Sequence, residues 1–280
     1  MKILKSIKET TLYINALKDA KKSIGFVPTM GALHKGHLEL LSRSKNENDI
    51  SVCSIFVNPI QFNNPEDLKK YPRTFEDDCK KLESVNCDVL FAPDVQEMYP
   101  EDNKKKYDFG LLEKVMEGKF RPGHFNGVAV VVKLLFDITE PHRAYFGEKD
   151  FQQLAIINAM VKQENLKIEI VPCATVREKD GLAMSSRNIR LTTEERKVAP
   201  RIYQILTSVK EKKQTQSIAK LYEWVKNELN NVPGMEIEYF EISNAENLQQ
   251  IQSFDECSHS VACVAVFLGA VRLIDNIRLT

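Results

Sequence analysis

The sequence predicts an α/β fold class, with a doubly wound parallel sheet followed by a second, smaller α+β domain. Strand-like apolar runs alternate with amphipathic helices up to about Val176, which is the rhythm of a parallel sheet. Residues 50–57 are rich in β-branched side chains and apolar on both faces, as in a strand covered by helices on both sides. Beyond Val176 helices precede strands, which is typical of an α+β domain. We therefore predict one domain at 1–176 and another at 177–280.

The spacing of apolar residues assigns the elements in order. In the first domain the predicted helices are 11–22, 36–46, 65–70, 75–84, 125–136 and 150–163, and the predicted strands are 23–27, 50–57, 88–91, 143–146 and 167–171. A polar, lysine-rich stretch at 103–106 interrupts this series. In the second domain the predicted helices are 192–210 and 217–230, and the predicted strands are 236–242, 260–268 and 271–279. A hairpin-like turn at Gly269-Ala270 joins the last two strands.

Composition limits the classes of function. The 39 basic residues balance 39 acidic ones, which argues against broad, nonspecific binding of nucleic acid. The six cysteines are scattered without a C-x-x-C pair, so we expect reduced thiols, with Cys53 and Cys263 buried in apolar runs. The first residues lack the continuous apolar core of a signal peptide, and the longest apolar run, 261–271, is too short to cross a bilayer. We expect a soluble cytoplasmic protein without a membrane segment.

The most informative stretch is 26–40, FVPTMGALHKGHLEL. A strand ends, a glycine turn follows, and His34 and His37 flank Gly36 at the start of a helix. Such a turn suits phosphate, because first-turn N–H groups are unpaired, and the imidazoles add donors. The order strand–turn–HxGH–helix is typical of adenylyl-transferring enzymes. A metal half-site or two surface histidines are the alternatives, but a zinc site needs three or four ligands and no partner spacing is present.

A second segment, 177–191, reads REKDGLAMSSRNIRL. It combines a turn with adjacent hydroxyls at Ser185 and Ser186 and a fixed positive charge at Arg187. Serine hydroxyls can bind phosphate oxygens, and arginine can bind them in bidentate fashion. A loop of this kind can close over a bound nucleotide. The alternative is an ordinary polar linker, which the HxGH motif upstream disfavours.

Two further segments follow predicted strands. In YFGEKDFQQ, at 145–153, Lys149 is a mobile charge suited to phosphate, Asp150 can cap the next helix, and at most one of the two adjacent glutamines can face a ligand. In FVNPIQF, at 56–62, Asn58 and Gln61 carry neutral donors and acceptors that suit hydroxyl and carboxylate groups. The alternative for this second segment is a turn set by Asn58-Pro59.

The loop RPGHFNG, at 121–127, precedes the predicted buried helix. It is either a plain turn with a helix start or a mobile cover that brings Arg121 and His124 near ligand phosphates. Nothing local decides between these interpretations.

Six motifs occur in this order: PTMGALHKGHLEL, FVNPIQF, KKYPRT, RPGHFNGV, YFGEKDFQQL and REKDGLAMSSRN. Together they resemble the pantothenate synthetase family, ATP-dependent ligases that join pantoate to β-alanine. The resemblance covers the chain up to about residue 191 and is weaker beyond. It implies a Rossmann-like core shared with a superfamily of adenylylating enzymes, with MSSRN in place of the KMSKS loop of class I aminoacyl-tRNA synthetases. Asn63-Asn64-Pro65 departs from the commoner glycine-containing form of its loop and leaves the local conformation open.

The resemblance implies a role for each matching position. His34, His37 and Lys149 are the implied catalytic residues, with His37 as the proton donor. The implied ATP-binding residues are Met30, Gly31, Ala32, Leu33, His34, Lys35, Gly36, His37, Gly147, Glu148, Lys149, Asp150, Val176, Met184, Ser185, Ser186 and Arg187. Gln61 and Gln153 would hold pantoate, Gln61 also β-alanine, and Asn58 is the third substrate-binding candidate. No side chain is assigned as a metal ligand.

The implied reaction has two steps. The carboxylate of pantoate attacks the α-phosphorus of ATP, giving pantoyl adenylate and pyrophosphate, and the amine of β-alanine then displaces AMP. Mg²⁺ would bridge phosphate oxygens and keep several waters. The expected partners are these small substrates and a second copy of the chain in a homodimer, with no nucleic acid and no membrane.

Two other functions stay open. A nucleotidylyltransferase with the same HxGH core would stop after transferring AMP to a phosphate-bearing substrate, and it would need basic residues where Asn58, Gln61 and Gln153 stand. A non-catalytic nucleotide sensor would bind ATP without needing both histidines together with Lys149 and Arg187. Release of AMP that depends on both pantoate and β-alanine separates the three functions.

Overall fold

The computed structural model describes residues 1–101 and 105–279, so the lysine-rich stretch 103–106 falls half outside the described residues. The chain divides into two compact units. The first comprises Met1–Phe109, Arg121–Glu148 and Ile156–Ala174, and the second comprises Gly110–Phe120, Lys149–Ala155 and Thr175–Thr280.

In chain order the elements are β1 (Lys2–Leu4), α1 (Ile7–Asp19), β2 (Ile24–Thr29), α2 (Lys35–Glu47), β3 (Ile50–Ile55), α3 (Pro65–Lys70), α4 (Phe75–Ser84), β4 (Val89–Phe91), α5 (Val95–Met98), α6 (Met116–Phe120), α7 (His124–Thr139), β5 (Arg143–Gly147), α8 (Phe151–Gln163), β6 (Glu169–Cys173), α9 (Thr193–Val198), α10 (Arg201–Lys212), α11 (Ile218–Asn230), β7 (Met235–Asn244), β8 (Ser260–Leu268) and β9 (Val271–Arg278). Short 3₁₀ turns lie at Pro59–Gln61, Gly110–Glu113, Glu148–Asp150, Ser186–Arg190 and Phe254–Glu256.

The first unit is built on a parallel sheet. Within the described residues its six strands have the order β1-β4-β3-β2-β5-β6. The chain runs from β2 outward through β3 to β4, then returns to place β5 on the other side of β2. The direction of winding therefore reverses between β2 and β5. The predicted doubly wound parallel sheet is confirmed.

The central strands of this sheet are buried because they are apolar on both faces. Phe26, Val27, Val52 and Cys53 are all 0% exposed. Burial raises the pKa of the Cys53 thiol well above its usual value and that of the Cys87 thiol to about 11. These two thiols therefore behave as small apolar side chains.

The second unit packs helices on an antiparallel sheet. Among the described residues its strands have the order β7-β8-β9. Apolar residues of α10 and α11 pack with the inner face of β8 in one buried cluster, which includes Leu206, Leu221, Val264 and Val266. The predicted smaller α+β arrangement is confirmed. Cys263, on β8, is 6% exposed, so its predicted burial is also confirmed.

The segment Gly110–Phe120 belongs to the second unit through a buried charge cluster. The guanidinium of Arg272 on β9 donates to both carboxylate oxygens of Glu117 at 2.7 and 2.8 Å and also pairs with Glu238. The hydroxyl of Tyr239 donates to Glu117 at 2.9 Å. These bonds compensate the cost of burying the carboxylates.

Three predicted boundaries need correction. The predicted helix 192–210 is two helices, α9 and α10, because Pro200 lacks the N–H that a continuous helix would use. The predicted helix 11–22 begins four residues earlier, at Ile7, because Ser6 caps it by accepting from the Glu9 N–H at 3.2 Å. The predicted helix 150–163 begins one residue later, at Phe151, and the 3₁₀ turn Glu148–Asp150 precedes it, so Asp150 keeps the position directly before the helix. The elements β1, α5 and α6 were not predicted, because three to five residues are too few to establish a period.

In residues 1–101 and 105–279, every helix is too short or too polar to traverse a bilayer.

Candidate active site

The carboxyl ends of β2, β3 and β5 lie side by side at one edge of the parallel sheet. Thr29 ends β2, Ile55 ends β3 and Gly147 ends β5. In open α/β sheets ligands bind beyond such carboxyl ends, where the winding direction reverses. The HxGH residues 34–37 directly follow β2 and its turn, so they lie at this point of the first unit.

A buried carboxylate holds the turn between β2 and α2. Gly31 and Ala32 have positive φ values of 79° and 50°. The N–H groups of Ala32 and Leu33 donate to the two oxygens of Asp78 at 2.8 and 2.7 Å. Asp78 is 0% exposed, and the Thr74 hydroxyl donates to it at 3.1 Å. Because three hydrogen bonds satisfy this buried charge, Asp78 fixes the path of the turn.

Asp78 is not among the predicted site residues, although the sequence carries a signal for it. It precedes Leu82 by four residues, so both lie on the inward face of α4. An acidic residue on an inward face needs donors, and backbone N–H groups of a tight turn supply them. The ammonium of Lys81, on the same helix, donates to the Leu33 carbonyl at 2.8 Å. Helix α4 therefore holds the turn by both a donor and an acceptor.

The two histidines of the HxGH segment form a reciprocal cap on α2. The Nδ1 of His34 accepts from the Gly36 N–H at 3.1 Å, and the Nδ1 of His37 accepts from the His34 N–H at 3.3 Å. The ring centroids are 4.0 Å apart with an interplanar angle of 34°. Both rings are therefore oriented by the backbone that they cap.

These hydrogen bonds assign the ring protons. A nitrogen that accepts from a backbone N–H cannot carry the proton, so each neutral ring carries its proton on Nε2. His34 and His37 each present an Nε2–H donor at the start of α2, where the helix dipole also favours an anion. Because each Nδ1 already serves as an acceptor, a metal bound there would break the cap. The arrangement suits phosphate oxygens better than a metal half-site.

Asn58 and Gln61 form a buried amide pair after β3. The Nδ2 of Asn58 donates to the Gln61 side-chain oxygen and to the Gly127 carbonyl, both at 3.1 Å. Its Oδ1 accepts from the Tyr99 hydroxyl at 2.9 Å and the Ile60 N–H at 3.4 Å. These four bonds use the full capacity of an asparagine amide. Asn58, a predicted substrate-binding residue, thus orients Gln61 in this structure.

Gln61 also connects this pair to the HxGH turn. Its Nε2 donates to the sulfur of Met30 at 3.1 Å, and the residue is 9% exposed. Burial of the phenol that supports the pair raises the pKa of Tyr99, which keeps that hydroxyl a neutral donor. Within the first unit, the predicted pantoate residue Gln61 and the predicted ATP residue Met30 are therefore in contact.

Helix α7 approaches the Gln61 turn closely at Gly127. A Cβ on Gly127 would lie 2.6 Å from the Ile60 carbonyl oxygen and 2.8 Å from the Gln61 Cα. His124, at the start of α7, is 6% exposed, and its Nδ1 lies 2.8 Å from the Gln61 carbonyl oxygen. His124 is thus built into the support of this turn. Gly127 is part of the predicted motif RPGHFNGV. The sequence of this motif does not show, however, that the Gln61 turn packs closely against it.

The unusual Asn63-Asn64-Pro65 sequence forms a helix start. Asn64 caps α3 by accepting from the Glu66 N–H at 2.9 Å, and Pro65 occupies the first helical position. The Asn63 amide donates to the Pro122 carbonyl of the 121–127 loop. Proline suits this position because the N–H it lacks would be unpaired there. The residues that replace the commoner glycine-containing form of this loop therefore serve as the cap and the first residue of α3.

The segment after β5 places its two glutamines differently. Glu148–Asp150 is a 3₁₀ turn that leads into α8. Gln152 is 4% exposed, and its Nε2 donates to the carbonyls of Leu112 and Val115 at 2.6 and 2.9 Å. Gln153 is half-buried. Gln152 therefore anchors the segment Gly110–Phe120, and Gln153 stays the predicted ligand-binding glutamine.

In the second unit the predicted phosphate loop extends from a narrow hairpin. The Met184 N–H donates to the Val176 carbonyl at 3.0 Å, Arg177 and Ala183 form a bridge, and Gly181 turns the chain with a φ of 94°. The Ser185 hydroxyl then accepts from an N–H in the 3₁₀ turn Ser186–Arg190. The structure thus brings Val176 beside Met184 and places Ser185, Ser186 and Arg187 directly after the hairpin.

Comparison with known proteins gives the class of the chain. The model of the pantoate–β-alanine ligase family matches residues 2–278. The chain therefore belongs to this family and is an enzyme of the ligase class. A pantothenate synthetase of Bacteroides fragilis strain YCH46 is 50% identical over 278 residues, which cover 99% of both sequences.

Solved structures agree with this assignment. The pantothenate synthetase of Thermus thermophilus superimposes with a TM-score of 0.93 and 41% identity, covering 100% of this chain and 99% of that one. The pantoate–β-alanine ligase of Francisella tularensis, crystallised with β-γ ATP and β-alanine, gives a TM-score of 0.84 and 37% identity over 100% and 98% of the two chains. The resemblance inferred from the six motifs is confirmed, and it extends through the second unit.

Proposed function

We propose that this ligase condenses (R)-pantoate with β-alanine in an ATP-dependent reaction that passes through pantoyl adenylate and releases pyrophosphate and AMP. The observation that carries the proposal is the paired cap of His34 and His37, which fixes both rings at the start of α2, directly after β2, and makes Nε2 the protonated nitrogen of each ring. Family membership supplies the substrates, and the Francisella relative was crystallised with β-γ ATP and β-alanine.

The first step needs hydrogen-bond donors that stabilise the negative charge developing on the phosphate. When the carboxylate of pantoate attacks the α-phosphorus, negative charge grows on the phosphate oxygens. The Nε2–H groups of His34 and His37 would donate to these oxygens, with His37 as the candidate proton donor. Since both rings are fixed by backbone bonds, little reorganisation is needed as the transition state forms. The step requires no side-chain nucleophile, because the substrate carboxylate is itself the nucleophile.

Other nucleotide contacts are assigned from the family motifs. In the first unit, residues 30–37 and 147–148 would line the nucleotide. In the second unit, Lys149 would hold phosphate, Val176 would offer its backbone to adenine, and 184–187 would bind phosphate oxygens. Ser186 and Arg187 supply the hydroxyl and the guanidinium that such oxygens prefer.

Neutral amide side chains would bind pantoate. Gln61 and Gln153 would hydrogen-bond its hydroxyl and carboxylate groups, and Gln61 would also meet β-alanine. Asn58 would act through Gln61, since its own amide is fully used by protein groups. The second step follows without a protein nucleophile, because adenylylation turns the carboxylate oxygen into a good leaving group for attack by the β-alanine amine.

Mg²⁺ is proposed to arrive with the nucleotide. It would neutralise phosphate charge and keep several of its waters, with Asp150 near ribose or the metal. Among the described residues, no group of three or more His, Cys, Asp or Glu side chains is placed to hold a metal ion. A cytoplasmic location and a homodimer are proposed from the family resemblance alone.

The test measures AMP release with purified protein. We expect AMP only when ATP, pantoate, β-alanine and Mg²⁺ are all present, and pyrophosphate already with ATP, pantoate and Mg²⁺ in the absence of β-alanine. AMP transfer to a phosphate-bearing acceptor without β-alanine would favour a nucleotidylyltransferase. ATP binding without either product would favour a sensor and contradict the proposal.

A further inference from the structure

We infer that Asp275 and Asn276, adjacent residues of β9, are positioning residues that hold Lys149 and the hairpin 176–184 for nucleotide binding. The inference rests on the proposed function, because it assumes that Lys149 and the loop after the hairpin bind ATP. All the contacts that support it lie within the second unit.

Asn276 fixes the backbone of Lys149. Its Nδ2 donates to the Lys149 carbonyl at 2.8 Å, and Asn276 is 7% exposed. Lys149 lies in the middle of the 3₁₀ turn Glu148–Asp150, a form with weaker internal hydrogen-bond geometry than an α-helix. Anchoring the central carbonyl of this turn sets the direction in which the lysine side chain leaves the backbone.

Asp275 fixes the base of the hairpin. Its two oxygens accept from the guanidinium of Arg177 at 2.7 and 2.9 Å in a bidentate pair. The side chains of Asp275 and Arg177 are only 3% and 17% exposed. The same guanidinium donates to the Gly181 carbonyl at 3.1 Å and lies 3.5 Å from the ring centroid of Tyr203. Arg177 therefore connects β9 to both the start and the turn of the hairpin.

The two anchors are linked to each other. The Asn276 N–H donates to Asp275 at 2.8 Å, and the Asn276 carbonyl accepts from Arg177 at 3.3 Å. One dipeptide of β9 thus determines where the Lys149 turn and the hairpin stand relative to one another. A buried ion pair gives little net stability compared with packed apolar side chains, whereas a bidentate pair fixes orientation well. The chemistry of this cluster therefore suits positioning more than stability.

The test compares Asn276→Ala in two backgrounds, wild type and Lys149→Ala, by pantoate-dependent pyrophosphate release. If Asn276 acts through Lys149, its substitution lowers kcat roughly tenfold in the wild type, as for a misplaced catalytic group, but less than twofold when the lysine side chain is absent. The KM for pantoate should stay within twofold. The isosteric Asn276→Asp replaces the donor by an acceptor and should behave in the same way, so the test does not depend on the folding of a single variant.

The hairpin anchor is tested by Arg177→Lys and Asp275→Asn, which remove the bidentate geometry. Both should raise the KM for ATP several-fold, with a smaller change in the KM for pantoate. Gln250→Ala is the matched control, because it removes one side-chain hydrogen bond, to Tyr222, in the same unit without touching either segment. It should leave both constants unchanged.

The outcomes separate the two claims. Equal losses from Asn276→Ala in both backgrounds, or wild-type rates in Asn276→Asp, would overturn the positioning role while leaving the ligase function intact. A wild-type protein that releases no pyrophosphate with pantoate would contradict the proposed function and the inference with it.

Discussion

The HxGH turn of the first unit and the 184–187 loop of the second are held in opposite ways. The HxGH turn rests on Asp78, a carboxylate with 0% exposure, and each histidine ring is locked by a backbone N–H. The 184–187 loop is fixed at its base by the Arg177–Asp275 pair, and the Ser185 hydroxyl caps the turn that follows. The tip of that turn is solvated, since Ile189 is 75% exposed.

Two segments that are both proposed to bind phosphate can therefore have different tasks. Donors that must meet charge in the transition state gain from preorganisation, because the protein then does not reorganise as charge develops. A loop that admits a nucleotide and then contacts it gains from a fixed base and an adjustable tip. We expect substitutions beneath the HxGH turn to affect the chemical step, and substitutions in the 184–187 loop to affect nucleotide binding.

The largest expected effect comes from His37→Ala. Loss of one transition-state donor should reduce the rate of adenylate formation by about 10²–10³. His37→Asn should be equally slow, because the asparagine oxygen can replace Nδ1 as the acceptor for the His34 N–H but supplies no donor at Nε2. Pantoate-dependent pyrophosphate release measures the step.

The exposed His259 provides the control, and His259→Ala should be indistinguishable from wild type. An active His37→Asn protein would mean that the ring matters only as a cap, and an unchanged rate in His37→Ala would remove the residue from the mechanism.

Asp78→Asn comes next. The amide can accept from only one of the two turn N–H groups, and its own NH₂ faces the other, so one buried donor loses its partner. We expect a fall of roughly 10–100-fold in adenylylation and a decrease of about 1–3 kcal/mol in the free energy of unfolding. The neighbouring Asp77→Asn tests the same change on the exposed face of α4, where Asp77 is paired weakly with Lys80 at 3.9 Å. It should alter neither property measurably. Equal effects from the two substitutions would contradict the role of Asp78.

The parallel sheet and the HxGH segment were predictable because their signals are local. A strand with β-branched residues on both faces predicts a covered parallel strand, and a strand–turn–helix with glycine predicts an anion site. The residues that hold the site were not predictable in the same way. Asp78 is 45 positions from Leu33 in the chain and Asn58 is 69 positions from Gly127, so each contact depends on tertiary packing.

The amide side chains show most clearly what could not be predicted from the sequence. Asn58, Gln61, Gln152 and Gln153 have the same polar groups, and sequence reasoning could say only that Gln152 and Gln153 point in different directions. The structure engages Gln152 with the backbone of Gly110–Phe120 and Asn58 with four protein groups. Whether an amide side chain hydrogen-bonds to the protein or is left for a ligand depends on its neighbours in the fold. The local sequence pattern does not show those neighbours.

Gly127→Ala tests the support of the amide pair. Its Cβ would lie 2.6 Å from the Ile60 carbonyl oxygen, so the Gln61 turn or α7 must move by several tenths of an ångström. We expect the KM for pantoate to rise about tenfold with little change in the KM for ATP, because a displaced amide loses its hydrogen-bond geometry to the substrate. Steady-state kinetics with each substrate varied in turn measures both constants. Asp137→Ala, a change on the exposed side of the same helix, should leave them unchanged. Equal increases for both substrates would instead indicate a general disturbance of the unit.

Ser185→Ala should have the smallest effect, and its size sharpens the contrast between the two loops. The hydroxyl accepts from the Arg187 N–H at 3.2 Å, and loss of such a cap costs about 1 kcal/mol, or roughly fivefold in the KM for ATP. Ser185→Thr keeps the hydroxyl and should restore most of this loss. Ser253→Ala removes the same kind of cap from another 3₁₀ turn of the second unit, where the hydroxyl accepts from the Asp255 N–H at 3.3 Å, and it should not change the kinetics. A loss of a hundredfold or more in Ser185→Ala would mean that the hydroxyl binds phosphate in the transition state. The 184–187 loop would then be as preorganised as the HxGH turn, because a few-fold cap effect cannot account for a loss of that size.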